Sequence, residues 1–120
     1  TLIIVGTNFL EKHPDWVKRW LAAHVQITRW INKHPKKARK KVCDQIKAIS
    51  GIHLSKEIID EAFSRIEITY NPVVSSLLSY AEMAYNAGFL GEQMPDLSGM
   101  VDLSLLNDVL KERSLPLINK

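Results

Sequence analysis

The chain has 120 residues, 46% of them hydrophobic and 24% charged, which is the size and make-up of one ordinary folded domain and not of a disordered segment. Its net charge of +3 and pI near 9.1 are too mild to imply nucleic acid unless the cations cluster. A single cysteine excludes an internal disulfide and leaves the compartment open. No apolar run approaches the ~20 residues of a bilayer span, and no signal peptide is visible.

Leu2 to Val5 is a short apolar run of largely β-branched residues closed by Gly6, a pattern that suits a strand buried on both faces. Thr7 or Asn8 then caps a short helical turn, FLEKH. Because the chain starts at Thr1 with residues that read like the middle of a fold, it is expected to be a piece of a longer protein.

The segment around which the rest is organised is His13 to Trp30, which carries all three tryptophans. Trp16, Trp20, His24, Ile27 and Ile31 recur at helical spacing, as do Val17, Leu21 and Thr28. Two such adjacent rows make a wide apolar face, extended by Trp30. Pro14 suits a first helical turn, and Asp15 lies near the positive end of the helix dipole. His34-Pro35 repeats that start, so EKHP and NKHP each open a helix. The second of these helices buries Ala38, Val42, Ile46 and Ile49 and stops at Ser50-Gly51.

Ser55 is a good N-cap for a further helix whose inner face is Ile58, Ile59, Ala62, Phe63 and Ile66. Ile66, Ile68 and Tyr70 alternate with Glu67 and Thr69 as in a brief strand or extended link. Asn71-Pro72 opens a helix that ends at Gly88, and residues 89–101 read as a surface loop. Asp102 caps a last helix with Leu103, Leu106, Val109 and Leu110 inward, and the tail from 113 to 120 is expected to fray. The fold class is therefore mainly α, with about five helices and one or two short strands.

Chemistry-bearing patterns are weak. Lys33, Lys36, Lys37, Arg39, Lys40, Lys41 and Lys47 crowd one segment against Asp44 alone. With no interleaved aromatic and no phosphate loop, the run reads as the solvated face of an amphipathic helix. A helical nucleic-acid-binding domain using residues 36–47, or a structural interaction domain, remains the alternative reading. The four histidines have no ligand spacing, and Cys43 has no CxxC partner, so no metal or other cofactor is expected. Glu57, Asp60 and Glu61 fall on an outer helix face, with Arg65 one turn after Glu61. No nucleophile, base or acid pattern marks an enzyme. The tryptophans are expected to be core rather than a stacking platform.

Taken together, F-x-x-x-H-P from Phe9 to Pro14, W-x-N-x-H-P-x-x-A from Trp30 to Ala38, AYNAGFLG from Ala84 to Gly91 and PDLSGMVDLSLLNDVL from Pro95 to Leu110 make a pattern spanning nearly the whole chain. It resembles the C-terminal part of the substrate-binding proteins of ABC importers, in the aliphatic sulfonate, nitrate and taurine class. The resemblance implies a parent with two α/β lobes joined by a hinge, periplasmic or otherwise extracytoplasmic, with or without a lipid anchor. It closes on a small anion and delivers it to an ABC permease without covalent chemistry. It also implies one C-terminal fragment over 1–120: a hinge-proximal strand over 1–8, a helical layer over 9–112 and a tail over 113–120. The resemblance carries no ligand residue with it. Thr7 and Asn8, just beyond the strand, are the nearest polar candidates, since open α/β sheets bind ligands beyond strand ends. Apolar faces meant for an absent sheet are expected to drive the isolated chain to dimerise or exchange elements.

Overall fold

The computed structural model describes residues 2–119, and its described part is mainly helical. Six helices follow in order: α1 (Thr7–Lys12), α2 (Pro14–Lys33), α3 (Pro35–Ser50), α4 (Lys56–Ser64), α5 (Val74–Asn86) and α6 (Ser104–Glu112). Among the described residues there is no strand. The strand expected over Leu2–Val5 is absent because an extended segment needs a neighbour for its N–H and C=O groups, and the described residues supply none. The same holds for the Ile66–Tyr70 link. Thr1, within the strand expected over 1–8, and Lys120, within the tail, lie outside the described residues.

The two His-Pro corners are built alike. His13 (φ −137°, ψ 49°) and His34 (φ −130°, ψ 55°) take nearly the same backbone conformation. Each gives its N–H to a carbonyl one turn back, Phe9 or Trp30, at 2.9 Å. Each ring rests on that same residue's ring, with centroids 5.1 Å apart for Phe9–His13 and 5.6 Å for Trp30–His34. The following proline then starts a new helix without wasting a donor. Sequence spacing therefore encodes a helix–helix corner twice.

The chain divides into two compact units. The first comprises the chain through Ala22 and from Asn71 onward. Its core is Val17 of α2, Leu103 at the head of α6, Leu106, Val109 and Leu110 within α6, and Ile118. Lys18 Nζ donates to Glu112 Oε1 at 2.6 Å. The inward face expected for α6 is the one observed. Its N-cap position is Leu103, while the Asp102 carboxylate accepts the Ser104 N–H at 2.8 Å, so the acidic cap acts from one residue further out. The tail is not frayed. Asn107 Nδ2 donates to the Ile118 carbonyl and Asn107 Oδ1 accepts the Ile118 N–H, both at 2.9 Å. One amide thus satisfies a whole peptide group and holds Ile118 in the core. By contrast, no residue of α5 is buried.

The second unit spans Ala23–Tyr70. Here α3 packs on α4, with Ala38 and Ile59 buried. Val25 and Thr28 of α2 are buried as well. α3 stops at Gly51, whose φ of 72° is cheap only for glycine and whose N–H returns to the Lys47 carbonyl at 2.9 Å. Ser55 caps α4 as its sequence predicts, its hydroxyl accepting the Ile58 N–H. Asn32 Nδ2 donates to the Ile68 carbonyl at 2.8 Å and tethers the segment after α4 to the end of α2.

Of the two apolar rows of α2, the structure buries the one that runs through Val17, Val25 and Thr28. The tryptophan row is left out: Trp16 is 65% exposed and Trp20 50%. The expectation that the tryptophans form core is therefore corrected for these two. Only Trp30 is half-buried. A small-residue row can close against nearby helices, whereas an indole needs a broad apolar surface that neighbouring helices here do not present.

Candidate functional site

Thr7 and Asn8 are exposed residues of the first turn of α1, and neither caps it. The cap is Gly6, whose carbonyl accepts the Phe9 and Leu10 N–H groups at 3.0 Å. The helix starts at Thr7 because Gly6, in extended conformation, places its carbonyl at that turn. The side chains of Thr7 and Asn8 are thereby presented to the surface and not spent on capping.

The basic run is an exposed face broken by two ion pairs. Lys40 Nζ meets Asp44 at 3.1 Å, a surface pair one turn apart. Arg39 turns inward instead. Its guanidinium donates to Asp60 Oδ1 at 2.7 Å and stacks over Phe63 with 5.5 Å from Cζ to the ring centroid. Asp60 also accepts from Lys56, one turn earlier on α4. Lys56 and then Arg39 hold the Asp60 carboxyl below its ordinary pKa. Asp60 was expected on an outer face. It is the side chain that clamps α4 to α3, and the signal for it was Arg39 standing three residues before Val42 on the inward edge of α3. The Glu61–Arg65 pair forms at the spacing expected for it. Glu57, in the first turn of α4, has its pKa lowered by its own backbone N–H and then by Ser55.

No group of three or more metal-ligating side chains is found among the described residues. No helix among them is long and apolar enough to cross a membrane. At the first corner, Arg19 lies over the exposed Trp16 ring, 6.0 Å from its centroid.

An apolar notch lies in the second unit, with a volume of about 530 Å³. Ile27, Trp30 and Ile31 of α2 form one wall, and Val42, Ile46 and Ile49 of α3 form the other. Phe63 and Ile68 contribute from beyond α3, and Lys41 stands among the lining. The narrow stripe expected to be buried on α3 is thus buried only at Ala38, while Ile49 is 84% exposed. Sequence periodicity located these residues but assigned them to a closed core. Lys41, Gln45 and Ser50 are the polar residues among an otherwise apolar lining. Such a lining suits contact with an apolar surface.

The chain matches no protein-family model, no curated protein and no solved structure.

Proposed function

We propose that this chain is the C-terminal part of the solute-binding component of an ABC importer. That component holds a small anion such as an alkanesulfonate, taurine or nitrate and passes it unchanged to a membrane permease. The observation that carries the reading is the uncovered tryptophan row of α2, with Trp16 65% and Trp20 50% exposed. Fully burying a large apolar side chain is worth roughly 1.5–3 kcal/mol, and each of these two forgoes a good part of that. A helix patterned this way is made to lie on a surface, and a parent α/β lobe supplies one as a sheet. The apolar run Leu2–Val5, without a ladder here, takes its place in that sheet as a strand. The spacing motifs from Phe9 to Leu110 point to the same parent.

In that setting Thr7 and Asn8 follow the strand's end, where ligands of open α/β sheets sit, and their free side chains become pocket donors. The protein works in the periplasm or on the outer face of the membrane, where an importer meets its solute.

A thermal-shift series on the full-length protein tests this. A sulfonate, taurine or nitrate raises the midpoint by mass action, and Thr7→Ala with Asn8→Ala weakens the response. If none of these anions moves the midpoint, the transport reading is lost. If they move it equally in the double variant, only the two pocket assignments are lost.

A further inference from the structure

Charge is divided unequally along this chain. The second unit, Ala23–Tyr70, carries ten Lys and Arg against five Asp and Glu, whereas the remainder carries six against eight. Such an asymmetry marks the basic part as the one that meets an anionic partner. Within the second unit the excess lies on α3. Arg39 is held by Asp60 and Lys40 by Asp44. Lys36, Lys37, Lys41 and Lys47 are exposed and take part in none of the ion pairs found among the described residues. The same helix is uncovered on its apolar side. Val42, Ile46 and Ile49 line the notch, with Val42 38% and Ile49 84% exposed. At 3.6 residues per turn these three fall within about 60° of one another, and Lys36, Lys37, Lys40 and Lys47 come round to the opposite side. A helix with an apolar stripe on one side and lysines on the other, both uncovered, is suited to lie in a membrane interface. We propose that the second unit docks through α3 on a lipid bilayer with anionic headgroups, the isoleucine stripe at the acyl boundary and the lysines among the headgroups.

Three considerations select a bilayer among anionic partners. A nucleic acid would take the lysines and leave the isoleucines in water, whereas a bilayer engages both. The lysines spread from Lys36 to Lys47 of α3, about 17 Å at 1.5 Å per residue. That spread meets a field of headgroups and not one small anion. Clusters of four to eight cations on an amphipathic helix draw anionic lipid in this way, each contributing independently near the surface. Third, the border between the two sides carries the residues that a water–lipid boundary favours. Lys41 stands among the notch lining, where its stem follows apolar surface while its ammonium reaches the headgroups. Trp30, half-buried on the facing wall, presents an indole, the side chain enriched at headgroup level. The proposal concerns α3 and its notch alone and stands whether or not the transport reading does.

Co-sedimentation of the whole chain with vesicles reads the contact directly. The chain binds vesicles of equal parts phosphatidylcholine and phosphatidylglycerol, binds pure phosphatidylcholine about tenfold or more weakly, and is released as salt rises. Lys37→Ala weakens binding about fivefold, and Lys36→Ala with Lys37→Ala about 25-fold. Ile49→Ser changes no charge and weakens binding about tenfold or more. The side chain it replaces is 84% exposed, so helicity by circular dichroism stays as in the wild type. Lys12→Ala, which removes an exposed cation of the first unit, leaves binding unchanged. A chain that does not bind the mixed vesicles overturns the proposal, and one that holds a DNA duplex but no vesicle assigns the lysines to nucleic acid instead. Binding that ignores Ile49→Ser is adsorption by charge alone and also overturns it, as does binding that falls as far with Lys12→Ala as with Lys37→Ala.

Discussion

Asn107→Ala should release the C-terminal tail. The amide of Asn107 makes two hydrogen bonds to the single residue Ile118, both at 2.9 Å and partly buried. Neutral hydrogen bonds contribute about 1 kcal/mol each, so the substitution removes roughly 2 kcal/mol from docking of the tail. Ile118 is itself core, and its burial adds at most about 1.5–3 kcal/mol. What is left holding the tail after the substitution is therefore comparable to what has been removed. At about 1.4 kcal/mol per factor of ten, the ratio of docked to free tail falls some 10–30-fold. Amide hydrogen exchange at Ile118 reads this directly, with protection falling by that factor while the amides of α3 are unchanged. Asn107→Asp supplies an internal check. At neutral pH its carboxylate still accepts the Ile118 N–H but donates nothing to the Ile118 carbonyl, so the loss is intermediate, and protonation in acid restores a donor. If Asn107→Ala leaves Ile118 protection as in the wild type, the hydrogen bonds do not hold the tail and the account of the first unit's core is wrong.

Three further outcomes follow from the geometry. Asp60 has a folded pKa below its ordinary 3.8, held there by Lys56 and then Arg39. Its clamp therefore contributes fully above that pH and is lost as pH falls through the depressed value. Denaturation across the acid range should show Asp60→Asn less stable than wild type at neutral pH and equal to it in strong acid; a constant gap would contradict the clamp. Val73, a β-branched residue at φ 51°, sits in a region that costs roughly 1–2 kcal/mol for an L residue. Val73→Gly should leave the unfolding midpoint unchanged or higher, whereas Val74→Gly, inside α5, lowers stability by about 1 kcal/mol. Ser55→Ala removes the hydroxyl that caps α4 and costs about 0.5–2 kcal/mol, with Ser55→Gly much closer to wild type; equal losses in the two variants would show that the hydroxyl does not cap.

Helix positions were legible because their signals are local. Ser55 before Lys56, Gly51 after Ser50 and proline after each corner histidine act through backbone groups one turn away, so no distant neighbour is needed. The inward face of α6 was legible for the same reason, since Leu106, Val109 and Leu110 lie on one side of a single short helix. The candidate site was less so. Ile27, Trp30, Ile31, Val42, Ile46, Ile49 and Phe63 of the notch were recognised as apolar positions. Their spacing is the same whether the facing surface is present or missing, and periodicity cannot tell a closed core from an open groove.

By itself, then, the sequence determined where helices lie to within a residue or two, and which positions on each are apolar, because helix formation and capping are interactions across three or four residues. Burial required partners far away in the chain, and these only the tertiary structure supplied. It chose the row of Val17, Val25 and Thr28 over the tryptophan row of α2, because compact side chains close against helices and indoles need a wider surface. It drew Arg39 out of a solvated basic face onto Asp60 and Phe63. It turned an apparently loose tail into core through one asparagine. It withheld the strand at Leu2–Val5, because a strand exists only where another backbone lies beside it.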